Sequence, residues 1–282
     1  MFYGGPMLTS RQQVNRLDRE TALCISLAAR PSNHGVRFHN YLYAELGLNF
    51  VYKPIAPADI TAAVAGIRGL GIRGAGVSMP YKQEVIPLID HLEDSAARID
   101  AVNTIVNDEG ELTGYNTDYT AVASLLEQHG VDQTLPVAVR GSGGMANAVV
   151  AALTDHGMRG TVVARNHVTG TSLAGRYDCE FSGVVPDDAR LLVNVTPIGM
   201  EGDMAEELSF TPEEIDRAEV VFDVVASPVN TPLIRAAREA GKPVISGAEV
   251  AALQAAEQFA LYTGVRPTAE QVAAAEDYAS QR

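Results

Sequence analysis

Polar residues gather in three short segments where core residues would otherwise be expected: Val77-Ser78-Met79-Pro80-Tyr81-Lys82, Ala101-Val102-Asn103-Thr104 and Gly114-Tyr115-Asn116-Thr117-Asp118. A strand that ends in Ser-x-Pro-x-Lys delivers Lys82 to its carboxyl end, the region where α/β sheets bind ligands. A lysine at that place, paired with a carboxylate such as Asp118, can shuttle a proton to and from a reacting group. On spacing alone, an ordinary surface lysine is the simpler reading.

A fourth segment is rich in glycine. Val137-Ala138-Val139-Arg140-Gly141-Ser142-Gly143-Gly144-Met145-Ala146 reads Gly-x-Gly-x-x-Ala between an expected strand and an expected helix over Ala146 to His156. Glycines permit a tight turn and close approach of the backbone to a pyrophosphate, while the free N–H groups and dipole of the helix start hold the anion. The match gains weight from its place at a strand-to-helix junction in a βαβ pattern; a plain glycine turn is the alternative. The next strand ends Ala164-Arg165-Asn166-His167. An NAD site places a carboxylate here for the ribose 2′-OH. None is present, and Arg165 stands where a 2′-phosphate would lie, a role that suits a forked, permanently charged guanidinium. This favours NADP, the alternative being a solvated surface arginine.

The elements that must position these groups alternate between strand and helix. Strands are expected at Leu23–Leu27, at Phe50–Tyr52 (stopped by Pro54) and at Gly74–Ser78. Helices are expected over Val36–Leu46 and Asp59–Leu70. A hairpin is expected where Val102–Val106 meets the turn signal Asn107-Asp108-Glu109-Gly110 and Leu112 begins the return. A second series starts near residue 119, with strands at 136–139, 161–164, 191–195 and 220–224, followed by an alanine-rich helical tail. Such alternation implies an α/β class with largely parallel sheets.

Taken together, the segments resemble the shikimate dehydrogenase family, and most closely its divergent shikimate dehydrogenase-like branch. The family's Val-Thr-x-Pro-x-Lys, Ala-Val-Asn-Thr, Gly-x-Asn-Thr-Asp, Gly-x-Gly-Gly, Asn-Arg-Thr and Asn-x-Thr-x-x-Gly-Met motifs correspond to Val77–Lys82, Ala101–Thr104, Gly114–Asp118, Gly141–Gly144, Ala164–Asn166 and Asn194–Met200. A carboxy-terminal glutamine corresponds to Gln254. Order and spacing match from about Leu23 to Gly264. The resemblance implies an NADP-linked interconversion of shikimate and 3-dehydroshikimate, or the same chemistry on a relative such as quinate or aminoshikimate; a non-catalytic NADP(H)-binding sensor is the reading from another class. It implies Lys82 and Asp118 as the catalytic pair, with Asn33, Ser78, Asn103 and Gln254 binding the substrate. Gly141, Ser142, Gly143, Gly144, Met145 and Ala146 would hold the pyrophosphate, Arg165 and Asn166 the adenosine phosphate, and Thr196, Gly199 and Met200 the nicotinamide side. The implied architecture is a substrate-binding and catalytic domain (1–118), a Rossmann-type NADP domain (119–245) and carboxy-terminal helices (246–282) packing back on the first, with the reaction in a cleft between the two domains.

The family's early Ser-x-Ser pair, which binds a substrate carboxylate, is replaced by Asn33 and Gly35, and a hydrogen bond to a charged group is worth about 1.5–3 kcal/mol. Arg30, His34 and Arg37 are the nearby candidates to replace it. Ala226 stands where the family has a tyrosine, and Thr169 where a second basic residue often follows Arg165, His167 being a partial substitute.

Composition narrows the partners. The 282 residues carry 21 Lys+Arg against 35 Asp+Glu, a formal charge of −14, with no basic run. Nucleic acid and anionic membranes are therefore excluded as expected partners, and a small-molecule substrate is expected. No apolar run is long enough to span a bilayer, and the start, Met1-Phe2-Tyr3-Gly4-Gly5-Pro6, shows no basic segment leading into an apolar one. A cytoplasmic protein is expected. Cys24 and Cys179 lie in unrelated segments and are expected to be buried thiols, and the histidines show no metal spacing. Nothing in the pattern bears on self-association.

Overall fold

The computed structural model describes residues 17–281, so the run Met1–Pro6 lies outside the described residues. In chain order come β1 (Ala22–Leu27), α1 (His34–Glu45), β2 (Phe50–Ile55), α2 (Ile60–Gly69), β3 (Gly74–Val77), β4 (His91–Leu92), β5 (Thr104–Asp108) and β6 (Glu111–Tyr115). There follow α3 (Thr117–Gln128), β7 (Val137–Arg140), α4 (Gly144–Asp155), β8 (Gly160–Val163), α5 (His167–Arg176), β9 (Glu180–Ser182) and β10 (Leu191–Asn194). The series closes with α6 (Pro212–Arg217), β11 (Val220–Asp223), α7 (Pro232–Glu239), β12 (Val244–Ser246), α8 (Gly247–Thr263) and α9 (Ala269–Ser280).

Contacts divide the chain into two units. One holds the described residues up to Leu92, Val102–Gly114 and those from Gln258 onward; the other holds Glu93–Ala101 and Tyr115–Glu257. A serial division at 118 and 246 thus differs from the folded chain, which interleaves. The local causes are visible. Arg98 forks onto the Asp155 carboxylate of α4 with Nε at 2.9 and 3.1 Å, and Asn116 Nδ2 donates to the Ala101 carbonyl at 2.9 Å. These bonds keep 93–101 with the second unit. In the first unit, His34 Nε2 lies 2.9 Å from Glu276 Oε2, and the Tyr41 and Tyr278 rings meet at 5.3 Å, fastening α9 to α1.

The first unit is built on a sheet of order β2-β1-β3-β5-β6-β4. β1 runs parallel to β2 and β3, and β5 pairs antiparallel with β3. The strand at Phe50 does not stop at Pro54 as the sequence suggests; it reaches Ile55, with Pro54 in register opposite Ser26. β2 is the edge strand, and an edge tolerates the missing N–H. The turn between β5 and β6 has Glu109 and Gly110 at φ 54° and 99°, closed by the Gly110 N–H donating to Asn107 Oδ1 at 2.8 Å. Phe38, Leu42 and Tyr43 of α1 and Phe259 and Tyr262 of α8 are buried in this unit's core. The Tyr262 ring lies so close to β3 that a Cβ on Gly74 would sit 2.2 Å from its Cδ1, which is why β3 carries glycine there.

The second unit is a parallel sheet of order β12-β11-β10-β7-β8-β9. Numbered within the unit, that is the 3-2-1-4-5-6 winding of dinucleotide-binding sheets, with its switch point between β7 and β10. Side chains alternate across it. Val137, Val139, Leu191 and Val193 join one apolar core with α3 and α4, and Ala138, Leu192 and Val221 join another with α6 and α7. Strands covered on both faces read as continuous apolar runs, as these do.

Among the described residues no helix is long and apolar enough to cross a membrane, and no group of His, Cys, Asp and Glu could hold a metal ion. Cys24 is buried, and burial pushes its thiol up to about 11. Cys179 departs from expectation: it is only half-buried, beside Thr154 at the end of α4.

Candidate active site

In the second unit the glycine loop sits at the sheet's switch point. Gly141 adopts φ 124°, and its N–H donates to the Val163 carbonyl at 2.9 Å. A Cβ there would lie 2.8 Å from Val195 Cγ2 and 3.0 Å from Thr196 Cγ2, so neither the conformation nor the space admits a side chain. α4 begins at Gly144 behind Gly143, with no side chain capping it. Most helices among the described residues are capped by an Asp, Asn or Thr side chain; this one has none and presents the amides of Gly144 and Met145 to whatever lies in front of them, while the Ala146 N–H turns back to the Gly143 carbonyl at 3.1 Å.

Ser142 and Thr169 share a hydroxyl hydrogen bond of 2.7 Å, which ties the glycine loop to α5. Asn166 caps α5, its Oδ1 accepting from the N–H groups of Val168 and Thr169 at 3.0 and 3.2 Å. Between these pieces is a pocket of about 660 Å³ lined by the ends of β7, β8 and β10. Arg140, Gly141, Ser142, Arg165, Asn166 and Thr196 contribute to it; Gly143 through Ala146, Gly199 and Met200 do not.

The loop after β10 is shaped by a buried polar network that the sequence reading passed over. Asp223, fully buried at the end of β11, accepts from Thr231 Oγ1 at 2.5 Å, Asn194 Nδ2 at 2.9 Å and the Val225 N–H at 3.1 Å. Asn194 passes the order on: its Oδ1 accepts from Thr196 Oγ1 at 2.6 Å and Thr196 N–H at 3.1 Å, and its Nδ2 also donates to the Ile198 carbonyl at 3.1 Å. Burial raises the Asp223 carboxyl above the ordinary carboxylate range, with the bonds from Thr231, Val225 and Asn194 opposing it. Further along, Gly199 takes φ 87° and its N–H donates to the Met204 carbonyl at 2.9 Å, and Met200 is exposed.

These features fit a dinucleotide. The cradle at Gly141 is closed to any Cβ, the helix start is uncapped, and the pocket beside the end of β8 is lined by arginine and by no carboxylate. Arg165 is exposed there.

In the first unit the structure brings Ser78, Lys82 and Asn103 together at the carboxyl end of β3. The Ser78 N–H donates to the Leu27 carbonyl at 2.9 Å, the Val77 N–H to the Asn103 carbonyl at 2.7 Å, and the Val102 N–H to the Lys82 carbonyl at 2.8 Å. Ser78 is exposed, Lys82 half-buried and Asn103 buried. Gln258, one helical turn beyond Gln254, is a residue of this cluster that sequence reasoning missed. Its Nε2 donates to the Asn103 carbonyl at 3.1 Å and to Thr104 Oγ1 at 2.9 Å, and Thr104 Oγ1 in turn donates to Asn103 Oδ1 at 2.9 Å. That chain of donors orients the Asn103 amide with its oxygen inward. The only signal in the sequence was a second glutamine at i+4 on the same helix face.

Asn33 is exposed at the head of α1, and its side chain makes no capping bond. Of the cations near it, His34 is engaged with Glu276 and Arg37 donates to the Gln281 carbonyl, while Arg30 is exposed just after β1. Asp118 lies in the first turn of α3, behind Asn116, whose Oδ1 caps the helix by accepting from the Tyr119 N–H at 3.1 Å. Thr117 beside it is buried, and Gln254 is half-buried on α8. Both Asp118 and Gln254 belong to the second unit.

Residues 32–105 match the family model described as the shikimate dehydrogenase substrate binding domain. The chain is 50% identical over 266 residues to a shikimate dehydrogenase-like protein of Haemophilus influenzae, covering 93% of this chain and 98% of the other. A solved shikimate 5-dehydrogenase-like protein superposes with a TM-score of 0.93 at 49% identity, covering 94% of this chain and all of that one. The shikimate 5-dehydrogenase of Thermus thermophilus, solved with NADP(H) and shikimate, superposes with a TM-score of 0.81 at 28% identity over 92% of this chain and 99% of the other. With a relative sharing half its residues across nearly its whole length, the chain belongs to the shikimate dehydrogenase family.

Proposed function

We propose that this protein is an NADP-dependent oxidoreductase that interconverts shikimate, or a close cyclic polyol acid, with the corresponding ketone. The observation that carries the reading is the cluster at the end of β3, where backbone bonds fix Lys82 beside Asn103 and Ser78. The dinucleotide, when bound, supplies the hydride acceptor or donor. The chain supplies the rest. Lys82 holds and moves the proton at the reacting hydroxyl oxygen, since an alcohol that loses hydride must also lose its proton. Asp118 is the carboxylate the family resemblance pairs with it. Asn103 and Ser78 orient the polyol, and Gln254 and Asn33 complete its contacts. Arg30 replaces the absent hydroxyls at the substrate carboxylate. The first amides of α4 hold the pyrophosphate, Arg165 reads the 2′-phosphate, and Thr196, Gly199 and Met200 border the nicotinamide.

The reading is tested by following NADPH absorbance with shikimate, with quinate and NAD in parallel. Lys82→Ala should lose turnover by at least about 10²-fold, the scale of a general acid–base contribution, while binding NADPH as the parent does. A variant that keeps the full rate overturns the assignment of Lys82.

A further inference from the structure

Arg140 is a cation without a complete set of partners. It ends β7, directly before Gly141. By the alternation of the strand it leaves the sheet on the face of Ala138, toward α6. There its guanidinium lies 4.9 Å from the centroid of the Phe210 ring, and its Nη2 is 3.9 Å from Glu214 Oε2. That carboxylate oxygen is already committed to the cap of α6, accepting from the Thr211 N–H at 2.8 Å. Arg140 Nε is buried with no hydrogen-bond partner, whereas more than a quarter of the side chain, 28%, remains exposed.

The exposed part lines the 660 Å³ pocket. The composition of that pocket says which part of a dinucleotide belongs in it. Its floor is Val163 to Asn166 from the end of β8, the place of the adenosine ribose; it reaches the edge of the glycine loop and the loop after β10 that begins at Thr196, and holds none of the helix-start residues Gly143 to Ala146. Two arginines and no carboxylate line it. A phosphate monoester carries about −1.5 to −2 charges at neutral pH and accepts from more than one guanidinium. In a chain of formal charge −14, a second cation at this spot counts for more than it would on a basic surface.

We infer that Arg140 is a second reader of the 2′-phosphate, acting with Arg165, and so a determinant of NADP over NAD in this chain. The inference rests on the NADP reading above. Phe210 holds the guanidinium in place by stacking, and Glu214 is the charge that competes with the ligand for it.

The test is direct binding of NADPH and NADH, which differ only in that phosphate, followed by dihydronicotinamide fluorescence without any substrate. Arg140→Leu should weaken NADPH by about tenfold or more and leave NADH within about twofold, since a charge-assisted bond is at stake in one case and not in the other. Glu214→Gln keeps an acceptor for the Thr211 N–H and removes only the competing charge; it should tighten NADPH severalfold and not NADH. Equal losses of both dinucleotides in Arg140→Leu, or no loss of either, overturn the inference. Should Arg140→Leu fail to fold, an unchanged NADPH-to-NADH ratio in Glu214→Gln overturns it. A parent protein that binds neither dinucleotide overturns the NADP reading itself, and one that binds NADH as tightly as NADPH overturns the role given to Arg140 and Arg165 together.

Discussion

The buried carboxylate of Asp223 offers a prediction in which geometry and charge pull apart. Asp223→Ala removes the acceptor for three donors, Thr231 Oγ1, Asn194 Nδ2 and the Val225 N–H. An unsatisfied buried donor costs about 1–3 kcal/mol. Asn194 Nδ2 still reaches the Ile198 carbonyl with its other hydrogen, whereas the Thr231 hydroxyl proton and the Val225 N–H are left without the acceptor they had, the Ile234 N–H engaging only the Thr231 oxygen. The expected loss is therefore about 3–5 kcal/mol, and at 2–4 °C per kcal/mol for a unit of this size the thermal midpoint falls by roughly 6–20 °C. Asp223→Asn should behave differently. Its oxygen can accept from Asn194 Nδ2 and the Val225 N–H, and its Nδ2 can donate to Thr231 Oγ1, so all three contacts persist with one reversed. Burial has already raised the carboxyl's folded pKa, which means the fold prefers the uncharged form relative to the unfolded chain. Such a group contributes stability that is fully present below its unfolded pKa of about 3.9 and is lost as pH rises through the folded value. Asp223→Asn, which cannot titrate, should thus be within about 1 kcal/mol of the parent at pH 7.5, and the parent should gain relative to it as pH is lowered toward 4. Urea midpoints of the three proteins across that range, with NADPH affinity alongside, measure this. If Asp223→Asn falls as far as Asp223→Ala at pH 7.5, the charge itself is required and the reasoning is refuted.

Two more expectations rest on equally local geometry. Gly141→Ala forces a Cβ to 2.8 Å from Val195 Cγ2 at φ 124°, so calorimetric titration should show NADPH affinity reduced by at least about tenfold, with stability lowered by about 2–4 kcal/mol in urea; retention of both would show that the loop is slack. His34 is raised above its ordinary pKa by the hydrogen bond to Glu276, with desolvation opposing, so its contribution is full below about pH 6.5 and disappears as pH rises through the raised value. Glu276→Gln should accordingly lower the urea midpoint at pH 6, by about 1 kcal/mol or less for a half-buried pair still open to solvent at His34, and leave it unchanged at pH 9.

How far the sequence carries depends on whether a residue acts through its own neighbours in the chain. The glycine loop and Arg165 were legible because strand, turn and helix follow one another directly, and the geometry they need is local. Lys82, Ser78 and Asn103 were legible as members of motifs, but the backbone bonds that gather them at one strand end, Val102 to Lys82, Val77 to Asn103 and Ser78 to Leu27, join segments distant in the chain. Gln258 was not legible: its partners are Asn103 and Thr104, more than 150 positions away, and only packing of α8 brings it there. Arg140 was hidden for another reason. It sits inside the glycine motif, where attention goes to the glycines, and its meaning lies in which face of the sheet the alternation of β7 gives it. Asp223 and Asn194 stood in plain view at strand ends, yet their bond joins two strands whose adjacency is a matter of topology. Pro54 misled because a rule about central strands was applied to an edge.

The interleaving of the two units has a consequence for the order in which the protein is made. The strands β1 to β6 leave the ribosome early, but Phe259 and Tyr262, which cover His39, Tyr43 and Gly74, leave it only after Tyr115–Glu257 has been synthesised. At about 5–20 residues per second that interval lasts on the order of ten seconds or more. Throughout it the early sheet carries an open aromatic face while the later unit is the first to own all of its residues. A chain released before Gln258 would therefore hold every residue of the second unit and lack the aromatic cover of its first sheet.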